Sequence, residues 1–278
     1  MNGLPVRQLP FSAILLLERK DQPMNPLADT IVVGKRILQF DCIDSTNSYL
    51  KENAQLFPNG TVAIAREQYA GKGRRGRKWI SQAGLALSMS VLLTEVELEA
   101  VPLLPLFCGV GASRALSPYF GRKAELKWPN DVLVGEKKLA GILCESRILG
   151  SHVAVVCGIG VNVLQPAAFF AENQLPYGTS ILSQTGKEVP LEEIAFQLLT
   201  AFDQVLEQYR QEGSEGLLEE YSALCITLGR EVQVEQSGVV RRGVARSVEK
   251  DGSLCCTGEE DFCVHGGEAS VRGLYGYV

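Results

Sequence analysis

Short apolar runs rich in Val, Ile and Leu recur between residues 36 and 163, at 36–41, 61–66, 85–93, 124–128, 138–147 and 153–163. Each is bounded by Gly, Pro, Asn or Asp, and each predicts a strand. Between the first two, Asp44-Ser45-Thr46-Asn47 offers several N-caps ahead of Tyr49, Leu50, Ala54 and Phe57, which predicts a helix. A second, apolar helix is predicted over 103–116. Leu191, Ile194, Ala195, Leu198, Leu199, Phe202, Val205, Leu206 and Tyr209 keep the helical period behind Pro190, read as the first helical position. A shorter helix follows through Leu217, Leu218 and Tyr221. Strands outnumber helices and do not alternate strictly with them, so the pattern predicts an α+β fold rather than a doubly wound parallel sheet.

The texture changes after Gly229. Runs at 231–235, 239–248, 254–256, 262–264 and 269–271 are separated by Ser-Gly, Asp-Gly, Gly-Glu-Glu-Asp and Gly-Gly, the pattern of a small β-barrel. The first 35 residues carry Pro5, Pro10, Pro23 and Pro26 and no sustained period. The predicted organisation is an extension over 1–35, a main domain over 36–228 and a barrel over 229–278, with Met24 an alternative start.

The chain has 278 residues, 32 acidic against 27 basic, and a formal charge of −5, which argues against broad nucleic-acid binding but leaves room for one local basic site. No uninterrupted apolar run approaches the ~20 residues of a membrane span. The run Leu9–Leu17 is broken by Pro10 and followed by Glu18-Arg19-Lys20-Asp21 rather than a cleavage site, so export is rejected and a cytoplasmic protein expected. Eight scattered cysteines without a C-x-x-C pair are expected to be reduced, and with two distant histidines no metal site is expected.

The densest chemical signal is Gly71-Lys72-Gly73-Arg74-Arg75-Gly76-Arg77-Lys78-Trp79, with five cations between residues 72 and 78. Glycine spacing lets amides and guanidinium groups converge on one anion. The letters also match G-x-G-x-x-G, but dinucleotide-binding glycines must open a helix, and this segment does not read as one. A solvated basic turn is the plain alternative. Lys127-Trp128-Pro129-Asn130-Asp131 reads alone as a turn. A hairpin closed near Gly135 would set Asp131 and Lys138 opposite each other, and a lysine held against a buried acid suits charge neutralisation at phosphate. Gly158-Ile159-Gly160-Val161-Asn162 is either a bulge or a place where backbone approaches a flat ligand.

In this order and spacing, Asp44-Ser45-Thr46-Asn47, Gln68, GKGRRGRKW, KWPNDV, KLAGIL and GIGVN resemble the biotin protein ligases over about residues 36–278. The resemblance implies a mixed-sheet catalytic domain with a C-terminal SH3-like barrel. It implies biotin binding by Ser45, Thr46, Asn47, Gln68 and Lys138 with main chain of Gly71, Lys72, Gly73, Arg74, Gly141 and Gly160. ATP or the adenylate would be served by Arg74, Arg75, Arg77, Trp79, Asn130 and Asn162, joined by Glu268 and Arg272 of the closing segment. The implied reaction uses ATP with Mg2+ to make biotinyl-5′-AMP, then transfers biotin to a lysine of a biotin carboxyl carrier protein or domain. Arg74 and Lys138 would neutralise charge, and Asp131 would orient the acceptor lysine or take its proton. Lys72 stands where the family usually has Arg. The extension is too short for the winged helix of the family's repressors, so DNA is not an expected partner; the lack of a long apolar run makes a membrane none either, and a homodimer is left open. A lipoate–protein ligase is the nearest alternative, and a nucleic-acid-binding regulator the alternative from another class.

Overall fold

The computed structural model describes residues 32–150, 152–267, 269–273 and 277; the rest of the predicted extension, and Glu268, lie outside the described residues. Twelve strands and six α-helices follow in these residues. β1 (Ile37–Ile43), β2 (Val62–Gln68), β3 (Ala86–Leu93), β4 (Glu125–Lys127), β5 (Asp131–Val134), β6 (Lys137–Leu149) and β7 (His152–Asn162) form one sheet in the order β1-β2-β3-β7-β6-β5-β4. The β1–β2 pair is parallel and the others antiparallel, so the sheet is mixed.

Alternation along β3 assigns the two faces. Leu87, Met89, Val91 and Leu93 belong to the main core with α2 (Leu104–Leu116) and α5 (Leu191–Glu212), while Leu92 joins Leu50 of α1 (Thr46–Glu52) on the other side. The sheet is therefore covered on both faces; α2 packs on β4 to β7 and along α5, which itself packs on β3. Gly111 lets α2 approach α5 closely, since a Cβ there would sit 2.5 Å from Phe202. Burial on all sides explains why α2 is apolar all round. With its flanking 3-10 turns it forms a helical run, Leu98–Phe120, long and apolar enough to cross a membrane, yet 67% of its most apolar 18-residue stretch is buried inside the fold. Counting uninterrupted apolar residues missed this run because Glu99, Arg114 and Pro102 punctuate it.

α6 (Glu215–Leu224) leads into β8 (Glu231–Gln236), β9 (Val239–Val248), β10 (Leu254–Thr257), β11 (Phe262–Val264) and β12 (Ala269–Gly273), an antiparallel sheet in the order β11-β10-β9-β8-β12. Ser237 and Gly238, at φ 49° and 80°, close the β8–β9 hairpin as a two-residue turn requires. Trp128 Nε1 donates to Gly252 O at 3.1 Å, Ile226 N donates to Leu126 O at 2.9 Å, and one buried cluster runs on into Val232, Val234 and Leu254. The C-terminal sheet is thus docked on the larger one by shared core.

Four sequence expectations need correction. Pro190 is the N-cap of α5 rather than its first residue, its ψ of 138° being extended. Cys255 and Cys263 form a disulfide, because the β10–β11 register makes them direct partners with Cα atoms 4.1 Å apart. Val32 and Val33, assigned to the extension, donate both backbone N–H groups to Asp203 of α5 at 2.8 and 2.9 Å and so pack with the main body. The short helices α3 (Ala167–Glu172) and α4 (Ile181–Thr185) were not anticipated; each is under two turns, too brief for a period.

Candidate active site

One cavity of about 610 Å³ lies on the α1 face of the mixed sheet, between α1, the loop after β2, the β4–β5 turn, β6, β7 and β12. Every candidate residue named from the sequence lines it except Gly71, which closes the neck of the loop, and Glu268, which is outside the described residues. A Cβ on Gly71 would meet Trp79 O at 2.7 Å, and Trp79 N donates to Gly71 O at 3.0 Å.

The end beside α1 is neutral and densely hydrogen-bonded. Ser45 caps α1, accepting from Ser48 N at 3.4 Å. Thr46 donates its N–H to Gln68 Oε1 at 2.7 Å and its hydroxyl meets Ser90 Oγ at 2.7 Å. Gln68 Oε1 being taken, its amide N–H groups are what that residue can offer a ligand. Asn47 donates to Leu143 O and Glu145 Oε2, both at 3.0 Å, and accepts from Ser90 Oγ at 2.7 Å. Its amide rests over Gly158, where a Cβ would lie 2.0 Å from Oδ1. The Asn47 amide is therefore committed to tying α1 to β3 and β6.

The loop after β2 folds on itself. Gly73 N donates to Arg77 O at 2.7 Å, and Lys72 and Lys78 form a bridge around a single 3-10 turn, Arg74–Gly76. Arg75 takes φ 55°, a left-handed conformation rare for a residue with a side chain. No α-helix starts here, as the failed dinucleotide match required. Arg74 donates to Asn130 Oδ1 at 3.0 Å, to Ala269 O at 2.7 Å and to Gly266 O, so a guanidinium from the loop grips the C-terminal sheet. Burial lowers its pKa, against the pull of Asp131. Arg75 reaches Glu235 of β8 at 2.9 Å. Asn130 also donates to Ile142 O at 2.8 Å, and Asn162 accepts from Gln165 at 2.9 Å.

Gly141 and Gly160, cross-strand partners, lie beneath the Trp79 indole, and a Cβ on Gly160 would sit 2.4 Å from it. Bare backbone here makes room for Trp79, which sequence reasoning had not assigned to those glycines. Lys138 Nζ lies 5.7 Å from the same indole.

At the other end cations gather on one acid. Lys138 Nζ pairs with Asp131 Oδ1 at 2.6 Å, as the hairpin reading required. They are not register partners, however: Asp131 opposes Gly141 and Lys138 opposes Leu133, with a bulge between Val132 and Leu133. Tyr277 donates its hydroxyl to Asp131 Oδ2, stacks on Tyr177 at 5.1 Å, and lies under Lys127 Nζ, 3.9 Å from its ring centre. Burial pushes the Asp131 carboxyl up, but Lys138 and Lys127 with hydrogen bonds from Lys138 and Tyr277 more than offset it, leaving it below the usual range. Lys127, 6% exposed, is pushed down to about 8, by burial first and then by Lys138, Arg272 and Arg77, against the pull of Asp131. Tyr277 is raised, by burial and then by Asp131.

Four residues in this wall had been given no role. Ser88 and Ser90 could have been found, since Leu-Ser-Met-Ser-Val alternates as a strand with one polar face. Lys127 sat inside a quoted motif without a function. Tyr277 comes from the far end of the chain and carries no local signal.

Residues 39–162 match the Biotin/lipoate A/B protein ligase family. The biotin–acetyl-CoA-carboxylase ligase of Mycobacterium tuberculosis is 35% identical, over 71% of this chain and 73% of its own length. That of Paracoccus denitrificans is 33% identical, over 77% of this chain and 91% of its own. The biotin protein ligase of Aquifex aeolicus in complex with biotin and ATP superposes with a TM-score of 0.75 at 30% identity, over 86% of this chain and 100% of its own.

Proposed function

Because the chain belongs to the biotin/lipoate A/B protein ligase family, we propose that it activates biotin with ATP to biotinyl-5′-AMP and transfers the biotinyl group to a lysine of a biotin carboxyl carrier protein or domain. The observation that carries this reading is the polarity of the cavity: neutral hydrogen-bonding groups at one end, Lys127, Lys138, Arg77 and Arg272 at the other. A ureido ring needs donors and acceptors, which Ser45, Gln68 and the serines of β3 supply. A carboxylate and a triphosphate need cations.

In the first step the biotin carboxylate attacks the α-phosphorus and pyrophosphate leaves. Both reactants are anionic, so the protein's work is alignment and charge neutralisation. Lys138 is placed between the two ends, over Trp79 and beside Asp131, and serves the reacting oxygens. Lys127 and Arg272 serve the phosphates, and Arg74 keeps the C-terminal sheet closed over them. Magnesium is expected to arrive with the nucleotide. Among the described residues Asp131 is the one carboxylate in the cavity wall, and it is taken by Lys138 and Tyr277. In the second step a carrier lysine attacks the mixed anhydride. A carboxyl held below its ordinary range is a weak base, so Asp131 orients that amine rather than removing its proton.

The lipoate alternative is disfavoured by the same end, because a dithiolane would leave the Gln68 amide N–H groups, which the network does not use, unmatched at roughly 1–3 kcal/mol each. The nucleic-acid alternative is disfavoured because the basic loop faces a cavity walled by β12 rather than an open groove. A cytoplasmic location goes with this proposal. Pyrophosphate release with ATP plus biotin, against ATP plus lipoate, tests it: strong release with lipoate and none with biotin overturns it.

A further inference from the structure

On the face of the mixed sheet turned away from the cavity, three thiols meet. Cys108 of α2, Cys144 of β6 and Cys157 of β7 have their Sγ atoms within 4.8 Å of one another. No sequence spacing announces the group, since 36 and 13 residues separate its members. Topology assembles it: Cys144 and Cys157 are direct cross-strand partners, and α2 packs across both strands. Cys157 is buried, while Cys108 and Cys144 keep part of their surface open, which gives a small solute a way in.

We propose that this triangle binds a trivalent, three-coordinate thiophilic metalloid, with arsenous acid as its simplest form. A centre bonded to three sulfurs at ~2.3 Å requires sulfur–sulfur edges of about 4 Å or a little less, within reach of small side-chain rotations from the observed triangle. Charge selects among the thiophilic ions. The ionisable groups acting on these thiols are the other two cysteines and Glu145, with no cation among them. Three thiolates on a monovalent or divalent metal would leave a net negative complex in apolar core, which is costly. Zinc would also leave its fourth position facing that core. A trivalent centre gives a neutral complex.

The chemistry balances without a redox step. Three As–O bonds of arsenous acid break, three As–S bonds form, and the three thiol protons leave with the three hydroxides as water. Leu143 and Gly158, next along the strands from Cys144 and Cys157, carry Asn47 on the opposite face. An occupied triangle would therefore tie α2 to both strands directly behind the neutral end of the cavity.

The test uses the full chain, reduced, with arsenous acid as the probe. After removal of excess reagent, the expected result is one arsenic per chain, with the peptides carrying Cys108, Cys144 and Cys157 all protected from alkylation. Cys108→Ser, Cys144→Ser and Cys157→Ser should each weaken retention about 100-fold, by loss of one intramolecular bond. Cys42→Ser, and the double change Cys255→Ser with Cys263→Ser, should leave it unaltered. Because protection is read on the parent chain, the result stands even if a core substitution unfolds. No retained arsenic, protection of two thiols instead of three, or loss of binding in the Cys255/Cys263 double variant overturns the proposal.

Discussion

The two ends of the cavity are built on opposite principles. At the α1 end the polar atoms are neutral, come from α1, β2, β3 and β6, and mostly satisfy one another before any ligand arrives. At the other end Lys127, Lys138, Arg77 and Arg272 face one carboxylate among the described residues, and Arg74 is held by carbonyls nearly two hundred residues away in sequence. A hydrogen-bonded network holds a shape, and truncating one neutral member costs about 1–3 kcal/mol for the partner left unmatched. Uncompensated cations hold free energy that an anion releases, so the same kind of truncation costs more there.

Lys138→Ala should show this most strongly. Pyrophosphate release is expected to fall about 10²–10³-fold, the scale for removing a charge from a water-poor site. Biotin affinity should fall with it, while the unfolding midpoint changes much less, since the side chain is 28% exposed. Near-normal turnover with normal biotin binding would erase the difference between the two ends.

Lys127→Met probes the cost of gathering those cations. The folded pKa of about 8 lies below the ~10.4 of an unfolded lysine, so between these values the unfolded chain binds the extra proton. Stability from this group is therefore at its poorest below pH 8 and recovers as pH rises towards 10.4. The variant should be the more stable protein near pH 7, by up to about 3 kcal/mol, with the gap closing by pH 10.5. It should also bind ATP more weakly. A gap that stays constant from pH 7 to pH 10.5 in paired denaturant titrations would put Lys127 outside the cationic cluster.

Arg74→Gly removes the grip on Asn130, Gly266 and Ala269 at once. Free biotinyl-adenylate should escape roughly 10–100-fold faster, about 1.4–2.7 kcal/mol, the scale for one charged hydrogen-bonding group. Biotin affinity, set at the far end, should hold. At that end, Ser90→Ala should weaken biotin about tenfold, through Thr46 and Asn47, and leave the ATP dependence unchanged. If Ser90→Ala shifts ATP as much as biotin, the ends are not separate units.

The same contrast governs what could be read from the chain. Strand runs, α2, α5 and the change of texture after Gly229 were legible because each depends on local periodicity. Ser45, Thr46 and Asn47 were legible as local helix-cap signals, whereas Gln68 came only from the family resemblance, lying beyond the strand predicted over 61–66. What escaped depends on register: the bulge that shifts Lys138 past Asp131, the Cys255–Cys263 pair and the three-thiol triangle. Tyr277 is the extreme case, meeting Asp131 across 146 positions of chain. The role of Gly160 also stayed hidden, since only the folded loop shows that Trp79 occupies the space above it.

Glu235→Gln should have the smallest effect and separates two explanations of how the loop is held. The Arg75–Glu235 pair at 2.9 Å joins the loop to β8, yet the carboxylate side chain is 46% exposed. Pairs of that kind contribute between nothing and about 1 kcal/mol, less as salt rises. Arg75 also stands in a left-handed conformation, so something must hold it there. If the holding comes from Arg74 and the backbone bonds of Gly73 and Arg77, then Glu235→Gln should move stability by less than about 0.5 kcal/mol and the ATP dependence by less than about twofold. Steady-state kinetics at low and high salt would read both. A tenfold rise in the ATP requirement, vanishing at high salt where the parent pair is screened too, would mean that this exposed bridge sets the loop. The cationic end would then owe its order to the C-terminal sheet's charge rather than to its carbonyls.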